Sequence, residues 1–253
     1  QQIPIQGTNC GPQGITIDNE GYIYVATGCD YAVEKYDSNG NFVAKWGTWG
    51  SDDGQFIYSH GIFNLPNTNR IYVADWGNNK VRVFDKSGNY LFSFGEYGNG
   101  NGKMDHIHGI SYDSQGNIYV AEEFNHRIEK FDSNGNYLSQ FGGYGSGLAQ
   151  LSGPFWVHVD KFDNVYVSDS GNHRINVYST LGDYKYTFSV NGSPFGTNFD
   201  LNNNLYVVDY YNKQIQKFTP VYDNIASITS SPKIASTPTS SPSPTCLLYT
   251  SDA

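Results

Sequence analysis

From His108 to Gly147 the chain alternates apolar and polar residues in four short runs, HGISYD, NIYVAE, HRIEKFD and YLSQFG. Such alternation puts every second side chain on one face of an extended segment, so each run predicts a half-buried β-strand. DSQG and DSNG lie between the runs, and their glycines supply the positive φ of hairpin turns. The unit recurs along the chain. Tyr24, Tyr72, Tyr119, Tyr166 and Tyr206 sit in the cores IYVAT, IYVAD, IYVAE, VYVSD and LYVVD, spaced 48, 47, 47 and 40 residues apart. A period of roughly 45 residues signals a propeller or an array. The prediction is an all-β propeller with five visible repeats, each a four-stranded antiparallel blade. One blade leaves both sheet faces uncovered, so blades must stack around an axis to bury a core.

The recurring pattern P-x-G-I-x-x-D, D-x-x-G-x-I-Y-V-A-D, N-x-R-I-x-x-F-D, G-x-(Y/F)-L, F-G-x-x-G-x-G resembles the NHL repeat over about Gly11 to Phe218. That resemblance implies a propeller, most often of six blades, so one blade could be missing from the five seen here. It says little about function, because NHL propellers include extracellular sensors, RNA- and partner-binding modules and a few enzymes.

Composition narrows the choice. Net charge is −9 with a pI near 4.9, which weighs against a nucleic-acid partner, since phosphate binding needs clustered Lys and Arg. No apolar run approaches the roughly 20 residues that would span a bilayer, so membrane insertion is not expected. The chain starts at Gln1 without an initiator Met, as a mature secreted protein or an internal fragment would. In the first repeat, the turn Asp18–Gly21 predicts a register in which paired residue numbers sum to 39, so that Cys10 faces Cys29. Facing residues in an antiparallel pair have Cα atoms about 4.5 to 5.5 Å apart, close to what a disulfide requires. A bond there would imply an oxidising compartment, extracellular or at the cell surface; the other reading is two independent small residues at a blade edge.

The domain expectation is a propeller over 1–219, a Ser/Thr/Pro-rich linker over 220–245 too polar to pack, and a non-native tail over 246–253. The C-terminal tail is expected to be disordered. The fifth repeat has three clear strands. Its fourth is expected from Ile3 to Gln6, which would close the ring, or from Val221 to Ile228.

In a four-stranded blade with its first strand innermost, the second-to-third loops and the inter-blade loops emerge on one side. That face carries Trp76, Phe124, Tyr210 and Tyr211, where the repeat prescribes no aromatic, and Trp49, Tyr97 and Tyr144, which either bind or pack on the neighbouring blade. Exposed rings with polar tips suit peptides or sugars. His60 and His108 occupy one position in consecutive repeats and should point to the axis. Peptidyl-hydroxyglycine amidating lyases, similar propellers, carry zinc-binding histidines there, but three of them on alternate blades; here His106 or His158 would have to be the third. Trp156 stands where four repeats have Gly14, Gly61, Gly109 and Gly196, so it should project into the channel mouth. Asp75, Glu122, Asp169 and Asp209, with Asn78, Asn125, Asn172 and Asn212 three residues on, read as loop caps made by side-chain-to-backbone hydrogen bonds, with Lys80, Arg127 and Arg174 pairing with nearby carboxylates or carbonyls.

The expected function is an extracellular, monomeric binding or sensing module for a protein, peptide or glycan, with no cofactor. The alternative is a zinc-dependent lyase or hydrolase built on His60 and His108.

Overall fold

The computed structural model describes residues 3, 5, 6 and 11–219, and the backbone of 247–249. It is an all-β propeller of five four-stranded antiparallel blades, each with its strands in chain order from the axis outward. Blade 1 comprises β1 (Gly14–Ile17), β2 (Ile23–Ala26), β3 (Val33–Tyr36) and β4 (Phe42–Trp46). Blade 2 comprises β5 (Ser59–Leu65), β6 (Arg70–Asp75), β7 (Lys80–Phe84) and β8 (Tyr90–Phe94). Blade 3 comprises β9 (Ile107–Tyr112), β10 (Ile118–Glu122), β11 (Arg127–Phe131) and β12 (Tyr137–Gly142). Blade 4 comprises β13 (Pro154–Val159), β14 (Val165–Asp169), β15 (Arg174–Tyr178) and β16 (Tyr184–Ser189). Blade 5 comprises β17 (Pro194–Phe199), β18 (Leu205–Asp209), β19 (Gln214–Thr219) and β20 (Leu247–Tyr249).

Acidic turns set the hairpins. Asp132 Oδ1 accepts from the backbone N–H of Asn134 and Asn136, while Gly135 takes φ +84°. Tyr24 and Tyr119 donate their hydroxyls to Asp18 and Asp113 of the same blade, so the repeated tyrosine is buried with its polar end satisfied. Four apolar cores lie between adjacent blades, built from the alternate residues that pattern marked. Inner strand β1 packs on β5, β5 on β9, β9 on β13 and β13 on β17. Among the described residues no comparable packing returns from β17 to β1, so the ring is open there.

Two expectations need correction. The blade 1 pairs Gly14 with Ala26, Ile15 with Val25, Thr16 with Tyr24 and Ile17 with Ile23 all sum to 40. Asp18 N–H donates to Tyr22 O at 3.0 Å, closing a three-residue loop in which Gly21, at φ +87°, is one residue more than a tight turn holds. Gln13 N–H also donates to Ala26 O at 2.9 Å, so Gln13 and Gly14 both oppose Ala26, and past this bulge the sum returns to the predicted 39. Cys29 is disulfide-bonded, and Cys10 lies outside the described residues.

Ile3 and Gln6 do not extend blade 5 but lie against blade 1. Gln6 N–H donates to Glu34 Oε2 at 3.0 Å, and Ile3 packs at Gly40. The fourth strand of blade 5 is instead Leu247–Tyr249, within the segment expected to be a non-native tail. Val221 to Ile228, like the rest of the 220–245 segment, lies outside the described residues.

In blade 2 the capping acid Asp75 is met by Arg82 and not by Lys80. Arg82, two residues further along the same strand and so on the same face, donates Nε–H to Asp75 at 2.7 Å. The other caps form as expected: Asn78, Asn125, Asn172 and Asn212 donate to Asp75, Glu122, Asp169 and Asp209, and Arg127 and Arg174 pair with Glu122 and Asp169 at 2.7 Å.

Candidate functional site

The second-to-third loops and the inter-blade loops share one face. Trp76 N–H donates to Tyr58 O, Glu123 N–H to His106 O and Gly171 N–H to Ser152 O, each joining the two loop types within a blade. The last residue of these loops, Asn79, His126, His173 and Lys213, takes φ of 53° to 55°, a left-handed turn that aims the loop back into its strand.

Four inner-strand residues surround the channel mouth on this face. His108 lies at the centre. Its Nε2 meets Glu123 Oε2 at 2.8 Å and its Nδ1 meets His60 Nε2 at 3.3 Å. The carboxylate favours a proton on Nε2, which leaves Nδ1 as acceptor and makes His60 the donor through Nε2–H. His60 Nδ1 is then a lone pair, buried and without a partner among the described residues. Burial, with His108 beside it, pushes the His60 pKa down to about 3. The bond to His108 holds the Glu123 carboxyl below its usual range. Phe155 stacks on His108 at 4.0 Å between ring centroids and 23°, and Phe195 follows at 4.2 Å from Phe155.

The rings continue outward on both sides. Tyr210 stacks on Phe195 at 5.0 Å and Tyr211 meets Tyr210 at 5.6 Å. On the other side Trp76 lies edge-on to His106 at 4.6 Å, and His106 packs on Phe124 at 4.2 Å. Tyr58 joins the two halves, 6.0 Å from His60 and 5.9 Å from Trp76. The result is one aromatic arc across blades 2 to 5. Phe124, Tyr210 and Tyr211 are exposed, whereas Trp76 is half-buried with its Nε1–H lacking a partner among the described residues.

The structure thus brings Trp76, Phe124, Tyr210, Tyr211, His60 and His108 together. Trp49, Tyr97 and Tyr144 stand on the inter-blade loops, 66%, 69% and 73% exposed, with the Tyr144 ring packed on His126 at 4.7 Å. Trp156 enters the channel. It lines both a cavity of about 660 Å³ that holds His60, Phe155, Phe195 and Tyr210, and one of about 600 Å³ toward the opposite face. Its ring lies over Gly109, where a Cβ would meet Trp156 Cγ at 2.8 Å.

Neither proposed third histidine joins the pair. His106 is bound to Asp105, and His158 Nδ1 meets Thr197 O at 3.2 Å, with burial lowering its pKa. Tyr58 is the residue that sequence reasoning missed, although it lies only two positions before His60, on the loop that enters β5.

A six-bladed propeller family model, DUF5128, matches residues 64–140. No curated protein matches. Among solved structures, the chain is similar to a streptogramin B lyase, with 16% identity over 87% of this chain and 69% of that one at TM-score 0.68. It is also similar to a catalytically inactive virginiamycin B lyase from Staphylococcus aureus with quinupristin, with 17% identity over 86% and 69% at TM-score 0.67. A chain of a nidogen/laminin complex matches at 19% identity over 82% and 75% at TM-score 0.65. At these identities the likeness is one of fold.

Proposed function

We propose that the chain is an NHL-type binding or sensing module that takes a protein, peptide or glycan ligand on the second-to-third loop face. The observation that carries this reading is the aromatic arc, exposed at Phe124, Tyr210 and Tyr211 and flanked by two buried polar atoms without partners among the described residues, His60 Nδ1 and Trp76 Nε1. An unsatisfied buried donor or acceptor costs about 1–3 kcal/mol, so an acceptor and a donor left at one mouth favour a ligand that supplies both complements. The solved neighbours include both enzymes and a matrix-protein complex. The Cys29 disulfide supports an extracellular or cell-surface setting, with the chain acting as a monomer.

Phe124→Ala with Tyr210→Ala should lower affinity at least about tenfold for any ligand identified on peptide or glycan arrays, the loss expected of two exposed aromatic anchors. Because both side chains are exposed, Tm should move by less than about 2 °C. Full affinity in the double variant would remove the arc from consideration.

Zinc chemistry at His60 and His108 is the alternative, and the donor set does not fit it. The neighbours of His108 approach opposite nitrogens of one ring, so the three groups do not converge on a point. Among the described residues no three His, Cys, Asp or Glu side chains are grouped to hold a metal. Elemental analysis of untagged chain purified without chelator should find well under one zinc per chain. Stoichiometric zinc lost on His60→Ala would reverse this reading.

A further inference from the structure

Three inner-strand residues that depart from the repeat lie beside one another. After the channel-side Gly14, Gly61 and Gly109 the next residue is Ile15, Ile62 or Ile110, and blade 4 has Val157 there. Blade 5 has Thr197 instead. One position further, blades 1 and 3 carry the hydroxyls of Thr16 and Ser111, whereas blade 4 carries His158. Trp156, standing in place of glycine, and His158 are two residues apart on β13 and so share a strand face. The adjacent inner strand is β17, which holds Thr197.

These departures change what the positions do. Thr16 Oγ1 accepts from Asn64 N–H at 3.3 Å and Ser111 Oγ from Val159 N–H at 3.1 Å, each tying its inner strand to the next. His158 keeps the tie but reverses it, with Nδ1–H donating to Thr197 O at 3.2 Å. A proton on Nδ1 leaves Nε2 as an acceptor. Thr197 is 7% exposed, and its Oγ1 is buried without a partner among the described residues. An aliphatic residue, as in the other four blades, would avoid the cost of an unpaired buried hydroxyl, so its retention points to a partner from outside the fold.

Trp156, His158 and Thr197 line the cavity of about 600 Å³ on the face opposite the aromatic arc, with Ile17, Ile62, Ile110 and Val159 as apolar wall. Trp156 and Thr197 also border the cavity beneath the arc, but His158 lines this one only. The charges at its rim are already committed. Asp113 and Asp160 accept from backbone N–H groups of their own hairpin turns, and Asp163 accepts from the backbone and hydroxyl of Ser114. Lys161 lies over the Phe162 ring at 5.2 Å. Burial lowers the His158 pKa, so its ring is neutral at pH 7.

We propose that this cavity is a second binding site, independent of the arc, for a small uncharged molecule that joins an apolar ring to a carboxamide or hydroxyl head. The head gives a hydrogen to His158 Nε2 and accepts one from the Thr197 hydroxyl, while the ring packs against Trp156 and the isoleucines. A carboxylate offers no hydrogen to His158 Nε2, and a bare hydrocarbon satisfies neither group. The volume is ordinary for such a ligand, since small-molecule sites run to about 300–1,000 Å³.

Benzamide and benzyl alcohol are the probes, titrated against the full chain by saturation-transfer NMR. At least one should bind with a Kd of about 10 mM or tighter, as a ligand of that size can. Toluene and benzoate should bind at least about tenfold more weakly. Thr197→Val restores the aliphatic side chain of the other blades. It should weaken the bound probe at least about tenfold and yet raise Tm by about 2–4 °C, because the unpaired hydroxyl is gone. Thr197→Ser, which keeps the hydroxyl, should hold affinity within about threefold. A variant that merely damaged the fold would lower affinity and Tm together. Failure of both probes to bind, equal affinity for toluene or benzoate, or affinity unchanged in Thr197→Val overturns the proposal. So does a fall in Tm in Thr197→Val, because the hydroxyl would then be bonded within the fold.

Discussion

Replacing Arg127 with alanine is expected to destabilise the chain by about 3–5 kcal/mol, the cost of removing one partner from a buried ionic cluster. For a domain of this size that is a fall in Tm on the order of 10 °C. Arg127 lies between two carboxylates that are both fully buried, Glu122 at 2.7 Å and Glu129 at 3.1 Å. Its guanidinium also donates to the carbonyls of Asn99, Gly100 and Lys103 and to Gln140 Oε1, which pins the loop leading into blade 3. Truncation leaves two acids facing each other without a cation and four acceptors without a donor. Arg174→Ala should cost less, because its side chain is more exposed and meets a single carboxylate. Thermal unfolding followed by circular dichroism reads the difference. Adding Glu129→Gln to Arg127→Ala should restore part of the loss by removing one of the stranded acids, and a double variant less stable than the single would contradict this account.

Stability should peak near pH 6 to 6.5, between two opposed titrations. Burial, reinforced by the charge of Glu122 and opposed by Arg127, pushes the Glu129 carboxyl from 4.5 up to about 8. The folded state therefore keeps a proton that the unfolded chain releases. The contribution of this group is fully present below about 4.5 and is lost as pH rises through 8. His60 has the opposite sign. Its pKa falls from 6.5 to about 3, and burial lowers His158 in the same direction. Below pH 6.5 the unfolded chain binds protons that the fold refuses, so their contribution is lost as pH falls toward 3. Each group amounts to a few kcal/mol at most, on the order of 1.4 per pH unit of displacement. A Tm profile from pH 4 to 9 should therefore fall on both sides, with Glu129→Gln flattening the alkaline limb and His60→Gln the acid limb. An alkaline limb unchanged by Glu129→Gln would mean that Glu129 is not the titrating group.

The repeat was legible because each blade is local. Tyr-Val cores and Asp-x-x-Gly turns encode strand and hairpin within a few residues, and the Asp–Asn–Arg caps could be read from spacing alone. The failures have particular causes. Gly21 was read as part of a tight turn, when its positive φ adds a residue and shifts the register. Arg82 was not singled out, because Lys80 held the consensus place and Arg82 reaches the same acid from the next position on that face. The aromatic arc was half visible: Trp76, Phe124, Tyr210 and Tyr211 stood out as departures from the repeat, but Tyr58 and His106 join it only because inter-blade loops converge with second-to-third loops distant in sequence. No local pattern reports that convergence.

The arc spans blades 2 to 5, and blade 5 is the end of an open row. A row of repeats frays from its ends, since a terminal unit has one neighbour instead of two. Phe195, Tyr210 and Tyr211 thus stand on a unit that can detach, while His60, Trp76 and Phe124 stand on the anchored middle. A ligand lying along the arc would act as a clasp. By mass action it would hold the terminal blade in register, so occupancy of the site and cohesion of the row would rise and fall together.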